Sequence, residues 1–423
     1  MLAKQNAIAR NVLNRFTAHR MSCERPLRLL VLQPTPFCNI ACDYCYLAHR
    51  ADARRMSTRV VEATLKNVRD SGLLADELSV IWHAGEPLTV PSSFYRESFA
   101  LVDEIVGQHA RVSHCIQTNG VLIDHEWCDL FTQWGVRVGI SLDGPAFLHD
   151  KHRKTRDGRP THRRVMEGID CLRKHHLPFH VIAVVTRDSL DYAADIVNFF
   201  CEQDITQIGF NIDESEGAHT ECSLHGREDD YEEFMRRVIK AARHAPIDMQ
   251  VREIQNALQI ISKGIPKIRV GDRTVPYNPQ TVPAAILSVD HQGGFTTYSP
   301  ELLDHQHNQY GSFLLGNVMT DSIAVAITSD KARSIARDIL AGVDACQRSC
   351  EYFEYCGGGA PVNKLTENGD FASAETLYCR CAIQAPFKAT LEAMEEALDC
   401  ADPVVRPLEQ VRSTQTSFWE RFR

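Results

Sequence analysis

Several features that define common protein classes are missing from this chain. No apolar run approaches the roughly 18 residues that a helix needs to span a bilayer, so no membrane partner is indicated. There is no P-loop, no G-x-G-x-x-G motif and no H-E-x-x-H motif. Basic residues are outnumbered, with 46 Lys and Arg against 55 Asp and Glu, and the net charge is -9. This balance argues against nucleic-acid binding driven by bulk charge, although a local basic groove remains compatible with it.

Signs of secretion are lacking as well. No apolar signal segment precedes a cleavage site, and the 15 cysteines are spread over 423 residues rather than concentrated in a short scaffold. We therefore expect a cytoplasmic protein. In that reducing setting, clustered cysteines serve more often as metal ligands or catalysts than as disulfides.

β-branched apolar runs alternate with helical stretches through the first half of the chain. Strands are predicted at Leu27–Leu32, Leu78–Trp82, Val112–Gln117, Val136–Leu142, Phe179–Val185 and Ile205–Ile212. Helices are predicted near Thr58–Asp70, Ser93–Val106, His125–Trp134, His162–His175, Leu190–Cys201 and Tyr231–Ala242. Six such units indicate an α/β fold with a parallel sheet, either open and doubly wound or a partial barrel. Both architectures place a ligand site at the C-terminal ends of the strands.

Changes in composition divide the chain into five parts. We predict an N-terminal helix (1–25), the β/α domain (26–245), a bridge rich in Pro and Gly (246–285), a cysteine-rich domain with few strand signals (286–400) and a tail (401–423). The composition of the first segment would also suit a transit peptide.

Three cysteines lie together just after the first strand. Cys38, Cys42 and Cys45 have the spacing C-x3-C-x2-C. Three thiolates on one loop suit a 4Fe–4S cluster, because they bind three irons and leave the fourth open to a substrate or cofactor. A zinc site would need a fourth ligand, and His49 is available for that alternative.

Residues 27–215 resemble the radical S-adenosylmethionine (SAM) superfamily. The resemblance rests on the three cysteines and on three motifs at strand ends, namely His83-Ala-Gly-Glu-Pro87, Gln117-Thr-Asn-Gly120 and Ser141-Leu-Asp-Gly-Pro145. It implies a partial (β/α)6 barrel in which the open iron binds SAM and reduction yields a 5′-deoxyadenosyl radical. It also implies that SAM is contacted by Tyr44, His83, Ala84, Gly85, Glu86, Asn119, Ser141 and Arg153. Ala84 replaces the usual glycine, which is tolerable only if its φ is negative.

A second cysteine set lies near the C-terminus. Cys346, Cys350, Cys356 and Cys379 could hold a closed cluster or a zinc ion, and a Gly-Gly-Gly run follows the third of them. The region resembles the auxiliary-cluster extension called SPASM, which implies one auxiliary 4Fe–4S cluster with Cys381 as the alternate fourth ligand. Complete SPASM regions have further cysteines, and Ser299 lies where one of those ligands would be.

The sequence around the second cysteine set resembles a narrower group within this superfamily. Residues 350–364, together with Glu375-Thr-Leu-Tyr-Cys379, resemble the maturases that form cyclophanes in ribosomally made peptides. The resemblance implies a radical oxidoreductase that joins a side-chain β-carbon to an aromatic ring of a precursor peptide. It also implies an external electron donor that supplies the enzyme with electrons. Glu301 is the candidate base, with a strand-end surface charge as the alternative. An anaerobic sulfatase-maturating enzyme and a zinc-binding protein without enzymatic activity are the other two interpretations.

Overall fold

The structure, a computed structural model, describes residues 25–270 and 273–399. Apart from Arg25, the predicted N-terminal helix lies outside the described residues, and so does the predicted tail. In the described ranges no helix is both long and apolar enough to span a membrane.

The described strands are numbered here in chain order. They are β1 (Leu27–Leu32), β2 (Ile40–Cys42), β3 (Leu74–Trp82), β4 (Arg111–Thr118), β5 (Arg137–Ser141), β6 (Arg153–Thr155), β7 (Phe179–Val185), β8 (Gln207–Ile212), β9 (Gln250–Val251), β10 (Lys267–Val270), β11 (Arg273–Pro276), β12 (Ile286–Val289), β13 (Gly294–Thr297), β14 (Gln306–His307), β15 (Gly311–Ser312) and β16 (Gly316–Asn317).

The helices are numbered in the same way. They are α1 (Thr58–Ser71), α2 (Ser92–Ile105), α3 (His125–Trp134), α4 (Ala146–His152), α5 (His162–Lys174), α6 (Ala193–Glu202), α7 (Glu228–His244), α8 (Arg252–Lys263), α9 (Ile323–Ala326), α10 (Asp330–Ser349), α11 (Phe353–Cys356), α12 (Pro361–Asn368) and α13 (Ala385–Asp399). A π-helical turn, Cys379–Gln384, leads directly into α13.

One large sheet organises the molecule. Its strand order is β16-β13-β12-β1-β3-β4-β5-β7-β8-β9, and every pair from β12 to β9 is parallel. The six central strands β1, β3, β4, β5, β7 and β8 are neighbours in chain order, and each is followed by a helix. The predicted α/β fold with six strand–helix units is therefore confirmed, and the C-terminal ends of these strands meet at one edge.

Short polar caps and left-handed glycines explain why the predicted helix bounds agree closely with the observed ones. Ser57 accepts a hydrogen bond from the backbone N–H of Val60 at the start of α1, and Asp124 accepts one from Trp127 at the start of α3. Gly135, with φ of +58°, ends α3.

The region after residue 245 contains more regular structure than the sequence indicated. The interval 246–285, predicted as a bridge, includes α8, the β10–β11 hairpin and β9, which pairs with β8. The expectation of few strands after residue 286 is wrong for the sheet, because β12 pairs with β1 and is followed there by β13 and β16. These strands are only two to four residues long, so their sequence signal is weak.

The C-terminal helices return to the first domain. Helix α13 packs against α7 and α8. Arg236 of α7 donates to Glu392 of α13 at 2.6 Å, and Lys388 lies 3.5 Å from Glu232. The second cysteine set is thereby held against the β/α domain.

Candidate functional site

The first cysteine set lies on the loop between β1 and α1. Cys38 and Cys42 are buried and Cys45 is partly exposed. Backbone hydrogen bonds fix the loop, since the Cys38 N–H donates to the carbonyl of Arg50 at 3.1 Å and the Arg50 guanidinium donates to the carbonyl of Cys42 at 2.7 Å. Burial raises the pKa of Cys38 to about 12 and that of Cys42 to about 11. Coordination by a metal would reverse this effect, because a bound thiol loses its proton.

A short antiparallel pair places Arg153 beside this loop. Strand β2, which ends in Cys42, pairs with β6, and Cys42 faces Arg153 in the register. The Arg153 Nη1 lies 3.9 Å from the Cys42 sulfur, and the Asn119 Nδ2 lies 3.8 Å from the Cys38 sulfur. Two N–H donors therefore face the sulfurs and would stabilise their negative charge.

Asp143 connects two of the predicted SAM-contact residues, Tyr44 and Arg153. It is 3% exposed, and its Oδ2 accepts hydrogen bonds from Arg153 Nε at 2.9 Å and from the Tyr44 hydroxyl at 2.5 Å. Its Oδ1 accepts from the backbone N–H of Val184 at 2.9 Å. Burial acts against ionisation of this carboxyl, but Arg153 and His149 outweigh it and lower its pKa. Asp143 thus holds Tyr44, Arg153 and the backbone of β7 together from a buried position.

The His83–Pro87 turn approaches the cysteine loop through its backbone. Gly85 has φ of +58°, and a Cβ added there would lie 2.4 Å from the carbonyl oxygen of Thr35 and 2.5 Å from that of Phe37. Ala84 has φ of +73°. Alanine would be free of strain at this position only with a negative φ, and the observed φ is positive.

Glu86 fixes the two neighbouring strand ends. Its carboxylate is 1% exposed and accepts from the Thr118 hydroxyl at 2.7 Å, the Asn119 N–H at 2.7 Å and the Leu88 N–H at 2.9 Å. Burial raises its pKa to about 7. These donors occupy both carboxylate oxygens, so the Glu86 side chain orders the turn. Only the backbone of Glu86 is then available to contact a ligand.

The remaining predicted SAM-contact residues lie at the same edge. Ser141 accepts a hydrogen bond from Gln117 Nε2 at 3.2 Å, and Asn119 donates to Asn39 of the cysteine loop at 2.8 Å. Burial lowers the pKa of His83 to about 4, so its imidazole is neutral near pH 7. The structure therefore brings together the loops that follow β1, β3, β4 and β5.

The second cysteine set converges across the C-terminal helices. Electrostatic repulsion from Cys346 raises the pKa values of Cys350 and Cys379. Repulsion from Cys379 and Cys350 likewise raises the pKa of Cys356. Lys364, which the sequence did not single out, is 2% exposed, and its Nζ lies 3.2 Å from the Cys346 sulfur. A buried ammonium beside a thiolate offsets the negative charge that a bound cluster would bring.

The Gly-Gly-Gly run has a steric reason beside these cysteines. All three glycines, 357 to 359, have positive φ, and a Cβ on Gly359 would lie 3.2 Å from the Cys379 sulfur. The Asn278 side chain donates to the carbonyls of Cys356 and Gly359 at 3.1 and 2.8 Å. The backbone thus passes close to the sulfurs, as the sequence predicted.

Cys381 points away from the other four. It is completely buried in the main core, and the charged groups that affect its pKa are Glu228, Arg380, Glu367 and Asp213 rather than another cysteine of the set. This placement favours Cys379 over Cys381 as the fourth ligand.

The spacing of the sulfurs is a test of zinc against a cluster. A tetrahedral zinc–thiolate site brings its sulfurs to about 3.8 Å from one another. Among the described residues, neither cysteine set contains three ligand atoms within 4.8 Å of one another. Neither cysteine set therefore has the compact spacing of a preformed zinc–thiolate site.

One cavity joins the two cysteine regions. It has a volume of about 1040 Å³ and runs along the face of the sheet that bears Val31 and Ile81. His83 and Gln117 line it on the side of the first set, and Cys356 lines it on the side of the second.

Two carboxylates line this cavity between its ends. Burial raises the pKa of Glu301 to about 7 and that of Glu214 to about 8. The Asn363 amide donates to Glu214 at 2.7 Å, and the Ser299 hydroxyl donates to Glu301. Glu301 thus faces the cavity, contrary to its alternative interpretation as a surface charge, and Glu214 is a second carboxylate there.

Comparisons with known proteins agree with this architecture. A family model described as the radical SAM superfamily matches residues 32–200. The uncharacterized protein sll1766 of Synechocystis sp. is 42% identical over 383 residues, which cover 89% of this chain and 94% of that protein. The serine-type anaerobic sulfatase-maturating enzyme of Bacteroides thetaiotaomicron is 26% identical over 380 residues, which cover 84% of this chain and 87% of that enzyme.

Solved structures share the fold. The structure of anSMEcpe with bound AdoMet and Cp18Cys peptide matches with a TM-score of 0.69 at 20% identity, covering 88% of this chain and 99% of that chain. Streptococcus suis SuiB bound to precursor peptide SuiA matches with a TM-score of 0.59 at 17% identity, covering 88% and 80%. The matched family model identifies this chain as a radical SAM protein, and a 4Fe–4S cluster and SAM are the cofactors that this family implies.

Proposed function

We propose that this protein is a peptide maturase that joins a side-chain β-carbon to an aromatic ring of a ribosomally made precursor peptide, forming a cyclophane. The observation that carries the proposal is a cavity that extends from His83 and Gln117, at the strand ends beside the first cysteine set, to Cys356 of the second set, and is lined by the partly buried carboxylates of Glu214 and Glu301. Its volume can accept several side chains of a bound peptide. The structures of anSMEcpe and SuiB, which share this fold, contain bound peptides, and this supports a peptide substrate.

The residues of the first set are assigned as the cofactor site. Cys38, Cys42 and Cys45 would hold the cluster, and the His83–Pro87 turn, Asn119 and Arg153 would surround SAM. When bound, these cofactors supply a 5′-deoxyadenosyl radical, which is able to remove a hydrogen atom from a β-carbon. Arg153 keeps its Nε on Asp143, so its outer nitrogens are the ones left to bind the SAM carboxylate.

Cross-linking then requires an acceptor for one proton and an acceptor for one electron. Addition of a carbon radical to an aromatic ring leaves a ring that regains aromaticity by losing both. A carboxylate with a pKa near neutrality is suited to accept the proton, and Glu301 is our candidate, oriented by Ser299. The four cysteines of the second set would hold the electron acceptor, and an external donor would supply the electron that initiates turnover.

Formylglycine formation is the second candidate, because a sulfatase-maturating enzyme is similar along most of the chain. A typical enzyme of that group is expected to hold two auxiliary clusters. Here the described cysteines outside the two sets are Cys115, Cys128, Cys171, Cys201, Cys222 and Cys381, and the first five are isolated from one another in the sequence. Iron analysis separates the two cases, with about eight irons per chain for one auxiliary cluster and about twelve for two.

Co-expression with short peptides encoded beside the gene, followed by mass spectrometry, tests the proposal. A cross-link removes two hydrogens, and the fragment spectrum lacks cleavage between the joined residues. Oxidation of serine to formylglycine also removes two hydrogens, so the product is treated with a hydrazide probe that reacts with aldehydes. A hydrazide-reactive product, or SAM cleavage that leaves every peptide unchanged in mass, would refute the cyclophane assignment.

A further inference from the structure

Two outer helices bring together residues that neither cysteine set explains. His125 is the first residue of α3, and Cys171 and His175 lie four positions apart at the end of α5. Residues four apart project from the same helix face, so both face α3. None of the three lines the cavity, and any role for them is independent of the proposed function.

The donor atoms of these three residues converge. His125 Nδ1 lies 2.8 Å from His175 Nε2 and 3.8 Å from the Cys171 sulfur, and all three atoms lie within 4.8 Å of one another. Tetrahedral zinc with two imidazoles and one thiolate requires about 3.3 Å between the nitrogens and about 3.6 Å between nitrogen and sulfur. The two nitrogens would move apart by about half an ångström, and the sulfur, which lies within 4.8 Å of both, would approach them by at most about one ångström. Among the described residues this is the one group of three His, Cys, Asp or Glu residues so closely spaced.

The surroundings match those of a metal-binding histidine. The Nδ1 of His175, on the ring edge opposite the converging Nε2, lies 3.5 Å from a carboxylate oxygen of Asp129. A carboxylate at the second ring nitrogen fixes the orientation and tautomer of a metal-binding imidazole. Cys171 is 8% exposed, while His125 is exposed and leaves a side open to solvent.

We propose that His125 Nδ1, Cys171 Sγ and His175 Nε2 bind one divalent transition-metal ion, with zinc as the best match for a thiolate and two imidazoles. Water completes the tetrahedron on the exposed side. Cys128, which is fully buried, lies 3.5 Å from the Cys171 sulfur but outside the three-atom group, and it is not assigned as a ligand. The ion would join α3 to α5 on the outside of the β/α domain.

The test uses the cluster-loaded full-length protein, so that the cysteines of both sets are occupied. Zinc chloride is added at one equivalent, free metal is removed, and bound zinc is counted by mass spectrometry. We expect one zinc per chain, with two nitrogens near about 2.0 Å and one sulfur near about 2.3 Å in zinc-edge absorption spectra. His125→Ala, Cys171→Ser and His175→Ala should each lower zinc retention at least tenfold. The controls Cys128→Ser and His109→Ala, the latter at an exposed histidine, should retain it.

Hydrogen exchange gives a second measurement that does not depend on enzyme activity. Zinc should slow amide exchange at the facing ends of α3 and α5 in the wild type and not in His175→Ala. Three results would overturn the proposal: a zinc content unaffected by the ligand substitutions, an all-sulfur coordination shell, or loss of zinc in Cys128→Ser alone. The first would leave a hydrogen-bonded histidine pair, and the second would place zinc in a cluster site.

Discussion

The backbone cradle at Gly85 provides a quantitative prediction about the SAM site. Two adjacent residues there, Ala84 and Gly85, have φ of +73° and +58°. They differ in their surroundings, because a Cβ on Gly85 would lie 2.4 Å from the Thr35 oxygen and 2.5 Å from the Phe37 oxygen. We expect Gly85→Ala to be strongly unfavourable and Ala84→Gly to be neutral or favourable.

The magnitudes follow from conformation and packing. A left-handed φ costs an L-residue about 1–2 kcal/mol. Forcing an atom into a closed space costs about 1–3 kcal/mol more, and at Gly85 the atoms in the way are backbone oxygens of the cysteine loop. Gly85→Ala should therefore lower the free energy of unfolding by about 2–5 kcal/mol. For Ala84→Gly, release of the strained φ is partly offset by about 0.5–1 kcal/mol of unfolded-state entropy, which leaves a gain of up to about 1.5 kcal/mol.

Two measurements on the cluster-loaded variants test this reasoning. Urea unfolding gives the change in stability, and anaerobic equilibrium binding of SAM reports on the loop itself. Gly85→Ala should lose SAM affinity at least tenfold, whereas Ala84→Gly should bind SAM as the wild type does or more tightly. If Gly85→Ala unfolds at the wild-type urea concentration and binds SAM normally, the close approach of this turn to the cysteine loop is refuted.

Three further outcomes are expected. Asp143→Asn leaves the buried guanidinium beside it uncompensated, so the free energy of unfolding measured in urea should fall by about 3–5 kcal/mol. If Glu301 is the base, the cross-linking rate should rise with pH through about 7, and Glu301→Gln should remove that rise in a stopped assay. Because folding raises the pKa of this carboxyl, the folded state binds more protons than the unfolded state, and stability should fall as pH rises from 4.5 to about 7. Cys379→Ser should lose about four irons and all cross-linking but still cleave SAM, whereas Cys381→Ser should retain both activities and the full iron content.

The sheet could be predicted because its strands carry their own signal. Strands β1 and β7 have the predicted bounds, and both are rich in Val, Ile and Leu, as is typical of strands covered on both faces. Each cysteine loop was also readable, since ligand spacing is a local property of the chain. Strands β9 and β16 could not be predicted, because a strand of two residues is too short to show a periodic pattern. Such strands form only where they pair with a neighbouring strand.

Long-range polar contacts were the part of the site that sequence reasoning missed. The pairing of Asp143 with Tyr44 and Val184 spans 99 and 41 positions along the chain. Nothing in the local sequence distinguishes such an aspartate from one that caps a turn. Lys364 belongs to the same class, because a lysine on a short helix is ordinarily a solvated side chain, and only the fold reveals the buried sulfur beside its ammonium.

Ser299 shows how a departure from a family pattern can change the chemistry of a site. The sequence identified it as the place of a missing cluster ligand, and the structure shows it 2% exposed, with its hydroxyl donating to Glu301. A thiolate at this position would be held by iron and could not donate. A hydroxyl, in contrast, orients a carboxylate whose pKa burial has brought close to neutrality. If Glu301 is the proposed base, serine in place of the ligand that the SPASM resemblance implies would orient the proton acceptor. Ser299→Ala and Ser299→Cys separate the two effects, because both remove the hydroxyl and only the second restores a potential iron ligand.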